Sequence, residues 1–100
     1  MLRLVKVVGD SMSPELYDGD YVLTRKPRSI RPGFMYVVNH SDLGRIVKWL
    51  ERIEGDRYYF AGGNLKSIGS NVMGPVNKDR IIGKVILRID KNKPAKKTQN

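Results

Sequence analysis

Hydrophobic and polar residues alternate along most of this chain in short runs, each closed by glycine, proline, asparagine or aspartate. Leu2, Leu4, Val5, Val7 and Val8, with Arg3 and Lys6 between them, predict a half-buried first strand. A turn-rich stretch from Gly9 to Asp20 follows, in which Ser13-Pro14 marks the start of a turn or so of helix. Tyr21 to Arg25 predicts a second strand, Lys26 to Gly33 a loop, and Phe34 to Val38 a third strand. Asn39-His40-Ser41-Asp42 is a polar turn. Arg45 to Ile53 then alternates as a fourth strand, with Ile46, Lys48, Leu50 and Arg52 on one face and Val47, Trp49, Glu51 and Ile53 on the other. Glu54-Gly55-Asp56 signals a hairpin into Arg57 to Ala61, and Gly62 to Lys78 reads as loop. Ile81 to Ile89 is the last strand, interrupted by Gly83.

No stretch of useful length carries a 3.6-residue period, and there is no internal repeat. The expected fold is all-β: a small coiled, partly closed sheet with long loops and little helix, over residues 1–90. The polar, lysine-bearing residues 91–100 are expected to be a disordered tail.

Composition narrows the chemistry. The chain has 100 residues, suited to one modest core, and no cysteine, so neither a disulfide framework nor a thiolate metal site is available. Its single histidine, His40, lies in a predicted surface turn; no metal or cofactor is expected, and no role is assigned to His40. Phe34 and Trp49 read as core residues. The net charge is +9, with Arg25, Lys26, Arg28 and Arg31 in one loop and four lysines in the tail. Such charge reads first as a solvated surface with a basic tail, and second as a source of weak, salt-sensitive binding to nucleic acid or an anionic surface. No apolar run is long enough to span a bilayer, and the N-terminus lacks the form of a secretory signal, so a cytoplasmic location is expected.

Two residues stand out chemically. Ser11 falls on the sharp turn between two apolar runs, where a hydroxyl is displayed rather than buried. Lys48 sits within Ile46-Val47-Lys48-Trp49-Leu50, an amine on an apolar strand face. A serine hydroxyl is a poor nucleophile until a base removes its proton, and a desolvated lysine, whose charged form burial disfavours, can be that base. Taken singly, each also reads as structural: a turn serine and a lysine reaching to an edge.

Together they resemble something specific. Ser11-Met12, Pro14, Leu16 and Gly19-Asp20 match the pattern Ser-Met-x-Pro-x-Leu-x-x-Gly-Asp of the Ser-Lys peptidase clan of type I signal peptidases and LexA-like proteins. Pro32-Gly33-Phe34 and the strand after it are similar to that clan's Pro-Gly-Asp segment, with Phe34 in place of the acid. Arg45 to Asp56 resembles its lysine box, and Ile82-Gly83-Lys84-Val85 its closing strand. Ser67 to Gly74 is similar to the box Ser-x-Asp-Ser-Arg-x-x-Gly, with Gly69 and Asn71 where Asp and Arg stand in the clan.

The resemblance implies a small signal-peptidase-like (S24/S26-type) catalytic domain. It makes Ser11 the nucleophile, Lys48 the general base and then acid, and Ser67 the residue that orients the lysine. The Ser11 backbone N–H would hold the oxyanion, and Met12 and Pro14 would contact substrate. A second, hydroxyl-bearing oxyanion donor found in many signal peptidases is missing, because Gly9 occupies its position. The implied activity is cleavage of a peptide or protein precursor after a small residue. Two alternatives remain: a LexA-like self-processing regulator, and a non-catalytic basic β-domain that binds nucleic acid or an acidic partner. Self-cleavage is disfavoured, since the short stretch before Ser11 holds no Ala-Gly or Cys-Gly pair. The binding-domain reading leaves the Gly9 to Asp20 motif unexplained.

Overall fold

The computed structural model describes residues 2–9, 12, 16–62 and 74–90. Within them the chain is all-β: β1 (Leu2–Lys6), β2 (Tyr21–Arg25), β3 (Met35–His40), β4 (Gly44–Glu54), β5 (Arg57–Ala61) and β6 (Ile81–Ile89). They form one antiparallel sheet in the order β1-β2-β6-β3-β4-β5. A single 3-10 turn, Lys78–Arg80, precedes β6, and Val76 bridges Tyr58 just before it. Both lie in what the sequence presents only as loop.

The sheet is curled. Val5 and Val7 at one end of the strand order share a buried cluster with Val22, Val37 and, from the far side, Val47 of β4. Met12 and Leu16 from the Gly9 to Asp20 stretch fill the same cluster. The opposite face of β3, β4 and β5 carries a second cluster of Tyr36, Val38, Leu50, Phe60, Val76 and Ile81. In β1, Val5 is buried, as is Val7 just beyond it, whereas Leu2 and Leu4 face outward at 57% and 54% exposure.

Among the described residues the pairing register shifts at three places: between Leu23 and Thr24, between Val37 and Val38, and between Leu50 and Arg52. In β4, Leu50 pairs with Phe60 but Arg52 pairs with Tyr59, so Glu51 is an extra residue and the strand bulges. The bulge reverses the expected faces beyond it: Ile53 joins Leu50 in the second cluster, and Arg52 turns to the other side, over the Tyr59 ring at 4.0 Å. In β6, Gly83 lies beneath Thr24, where a Cβ would stand 3.0 Å from Thr24 Oγ1. Glycine there lets the buried Thr24 hydroxyl donate to the Arg3 carbonyl at 3.1 Å. Gly83 therefore does not interrupt the strand; it permits close packing.

Phe34 departs from expectation. It precedes β3 and is 43% exposed, with Lys84 Nζ 4.1 Å from its ring centroid. Its backbone continues the sheet, since the Leu50 N–H donates to the Phe34 carbonyl and the Gly33 N–H to the Leu50 carbonyl, both at 2.9 Å. Pairing at the main chain holds Phe34 in place while leaving its ring outside the core. His40 closes the β3–β4 turn: its Nδ1 accepts from the backbone N–H groups of Asp42 and Leu43, each at 3.1 Å. The histidine thus has a structural task at the turn.

Candidate active site

The Gly9 to Asp20 stretch is pinned to the end of β1 at its two borders. The Val7 N–H donates to the Asp20 carbonyl at 2.7 Å, and the Gly19 N–H to the Val7 carbonyl at 2.8 Å. Asp18 Oδ1 accepts from the Gly9 N–H at 2.8 Å, and the buried Asp20 carboxylate accepts from the Tyr17 N–H at 2.9 Å. Between the borders, the Leu16 N–H donates to the Met12 carbonyl at 2.8 Å. The Gly-Asp end of the motif is therefore a clamp, and its apolar Met12 and Leu16, 1% and 0% exposed, are the plugs that seat it in the core. Ser11, Pro14 and Ser67, as well as the predicted Ser13 cap, lie outside the described residues.

Lys48 lies on β4 at 7% exposure, directly across from the buried Tyr36 of β3. On its own strand face it is followed by Leu50, which packs with Phe60; Tyr36 meets Phe60 edge-on, with ring centroids 6.4 Å apart. The Tyr36 hydroxyl is held by the Arg31 backbone, whose N–H donates to it at 3.0 Å. Along its strand face Lys48 is flanked by the partly buried Ile46 and the buried Leu50. Desolvation by that burial pushes its ammonium below the ordinary lysine value of 10.5.

A cleft of about 250 Å³ opens at this point. Lys6, Val7 and Val8 form one wall, Leu43 and Arg45 to Lys48 the other, and Met12 lies between them. The structure thus brings Met12, the residue bonded to Ser11 in the chain, and Lys48 to the same cleft. Met12 contributes from within the core rather than as an exposed contact. Lys6 and Arg45, which nothing in the local pattern singles out, stand exposed at the cleft. Among the described residues, no group of three or more His, Cys, Asp or Glu side chains is arranged to hold a metal ion.

A model of the Peptidase S24-like family matches residues 1–86. The chain belongs to this family. It is a member of the Ser-Lys clan that also contains LexA and the signal peptidases, and the match spans both the serine motif and the Lys48 strand. No curated protein matches the chain. Membership of this S24-like family points to a peptidase or a self-cleaving protein, and the all-β sheet described above is in keeping with it. No helix among the described residues is long and apolar enough to cross a membrane.

Burial of an amine in this S24-like fold has a measurable consequence. Because the folded-state pKa of Lys48 is depressed, folding releases a proton between that pKa and the unfolded value. Stability therefore rises as pH increases through that window, up to about 10.5. Lys48→Met keeps the stem and removes the charge. The variant is expected to be more stable at neutral pH, with the gain shrinking as pH approaches 10.5. Urea unfolding of both proteins across pH tests this. An advantage for Lys48→Met that grows with rising pH would contradict the sign.

Proposed function

We propose that the protein is a serine endopeptidase using a Ser11–Lys48 dyad. The observation that carries this reading is Lys48 itself: a desolvated amine, buried on an apolar strand, lining a cleft shared with the residue next to Ser11. A lysine whose charged form is disfavoured by burial is the kind of base that a serine nucleophile requires.

In the proposed reaction, Lys48 Nζ takes the Ser11 hydroxyl proton as Oγ attacks the scissile carbonyl. The oxyanion of the tetrahedral adduct is held by the Ser11 backbone N–H, a kind of contact typically worth about 3 kcal/mol. The Lys48 ammonium then gives its proton to the departing amine, leaving an acyl-enzyme. Water, deprotonated in turn by Lys48, hydrolyses the ester and restores Ser11. Ser67 is the proposed positioning residue for Lys48. An extended substrate, cut after a small residue, would add to the sheet beside the cleft, as suits an all-β enzyme.

Incubating the protein with a degenerate peptide library and sequencing the products by mass spectrometry tests the proposal. Cleavage after small residues is expected. The rate, with chemistry limiting, should rise about tenfold per pH unit until the Lys48 pKa is passed. A profile that stays flat from mildly acid to alkaline pH would rule out a lysine base. Loss of the chain's own N-terminal residues without library cleavage would instead favour the self-processing reading.

A further inference from the structure

A second cleft, of about 400 Å³, is lined by Arg3, Thr24, Arg25, Lys26, Ile81 and Ile82. It draws on β1, β2 and the start of β6, and shares no lining residue with the Lys48 cleft. Its cations converge from different parts of the chain. Arg25 ends β2 and Lys26 follows it, and Arg3 is set beside Thr24 by the strand register and by the hydrogen bond to its carbonyl. Arg3, Arg25 and Lys26 are exposed, make no ion pair among the described residues, and have no acidic side chain in the cleft lining. The floor is apolar, from the buried Ile81 and the partly buried Ile82.

We propose that this cleft binds acidic side chains of an extended peptide. Three cations with free donors around an apolar floor suit carboxylates, which guanidinium groups hold with paired, charge-assisted hydrogen bonds. Phosphate carries the same charge, but the lining has no aromatic side chain on which a base could stack, which favours a peptide over a nucleic acid. The position strengthens the choice. β1 ends the strand order, paired with β2 alone among the described strands, and it runs from Arg3 in this cleft to Lys6 in the other. Those positions are about 10 Å apart at the usual strand rise. A peptide lying along β1 reaches both clefts. The Lys48 cleft also presents cations, Lys6 and Arg45, and no acid. The substrate class that follows, which rests on the peptidase reading, is a peptide with Asp or Glu a few residues from the cleaved bond.

Fluorescence anisotropy on the full chain tests the site without requiring catalysis. The probes are a fluorescein-labelled peptide bearing Asp and Glu, its Asn and Gln counterpart, and a single-stranded oligonucleotide of equal charge. The acidic peptide should bind about tenfold tighter than the amide peptide, and Arg25→Gln with Lys26→Gln should remove that difference. Arg25→Glu with Lys26→Glu should reverse it toward a lysine-bearing peptide. Equal binding of acidic and amide peptides, or an acidic preference that survives the double substitution, would overturn the proposal. So would tighter binding of the oligonucleotide than of the acidic peptide, which would assign the cleft to nucleic acid. Library cleavage with no enrichment of Asp or Glu near the cut, alongside equal binding, would leave the peptidase reading standing and remove this one. Selective acidic-peptide binding without any cleavage would do the reverse.

Discussion

Ser11→Ala and Lys48→Met are each expected to lower kcat/KM for peptide cleavage by about a thousandfold or more, with the fold retained. In the proposed mechanism neither residue works alone, since the hydroxyl has no other base and the amine no other nucleophile. General-base catalysis typically contributes about 10²- to 10⁴-fold, and a lost nucleophile removes the covalent route altogether. The double variant should be little worse than either single one, because residues acting as a unit are not additive. Lys48→Met is the sharper of the two. It fills nearly the same volume beside Tyr36 and Leu50, and the burial of Lys48 predicts that it stabilises the protein. Activity falling while stability rises is a combination that a purely structural lysine would not produce. Single-turnover cleavage, with circular dichroism and urea unfolding of the same samples, checks it. Cleavage within tenfold of the parent in either variant would sink the dyad.

Phe60→Ala carries the largest expected effect on stability, a loss of about 3 to 5 kcal/mol. Phe60 is fully buried, pairs across the hairpin with Leu50 and meets Tyr36 edge-on. Its removal leaves a cavity in a cluster whose other large members are fixed by strand register, so little collapse is available. A domain of this size has a total stability of about 5 to 15 kcal/mol, so much of the population could unfold at moderate temperature. The site should suffer with it, since Tyr36 pairs with Lys48 across β3 and β4 and Leu50 lies two residues along the same strand. Denaturant unfolding measures the loss; a change below about 1 kcal/mol would mean that the cluster repacks freely. An aliphatic replacement, Phe60→Leu, should recover part of both stability and cleavage.

Much of the frame is legible in local pattern. Tyr21–Arg25, Arg57–Ala61 and Ile81–Ile89 have the bounds that alternation and turn residues predict. Each is a short β-branched or aromatic run between residues that end strands, and neighbours in sequence are enough to define it. The Glu51 bulge is not legible, because it is fixed by how β4 meets β5 rather than by β4's own composition. A reading of alternation alone carries the parity straight through, and so exchanges Arg52 and Ile53. Phe34 fails for a related reason: an aromatic before a strand reads as core, but its ring lies where Lys84 of another strand comes alongside.

The site divides in the same way. The serine motif and the apolar flanks of Lys48 are contiguous, so their chemistry can be read in order along the chain. That Gly19-Asp20 clamps the motif onto Val7, and that Lys48 is buried opposite Tyr36, depends on hydrogen bonds and packing between distant segments. The cationic cleft depends on them most. Arg3 reads as a polar residue in a strand, Arg25 as the end of another and Lys26 as the start of a loop; the pairing of β2 with both β1 and β6 sets them around one apolar floor.

By itself, then, the sequence determined an all-β domain and marked Ser11 and Lys48 as candidate partners, because strand periodicity and residue chemistry are local properties. Tertiary structure decided the curl that puts Val47 with Val5 and Val7, the desolvation of Lys48, and the two clefts along β1. Burial and charge convergence are sums over residues far apart in the chain, and they exist only once the strands have paired and packed.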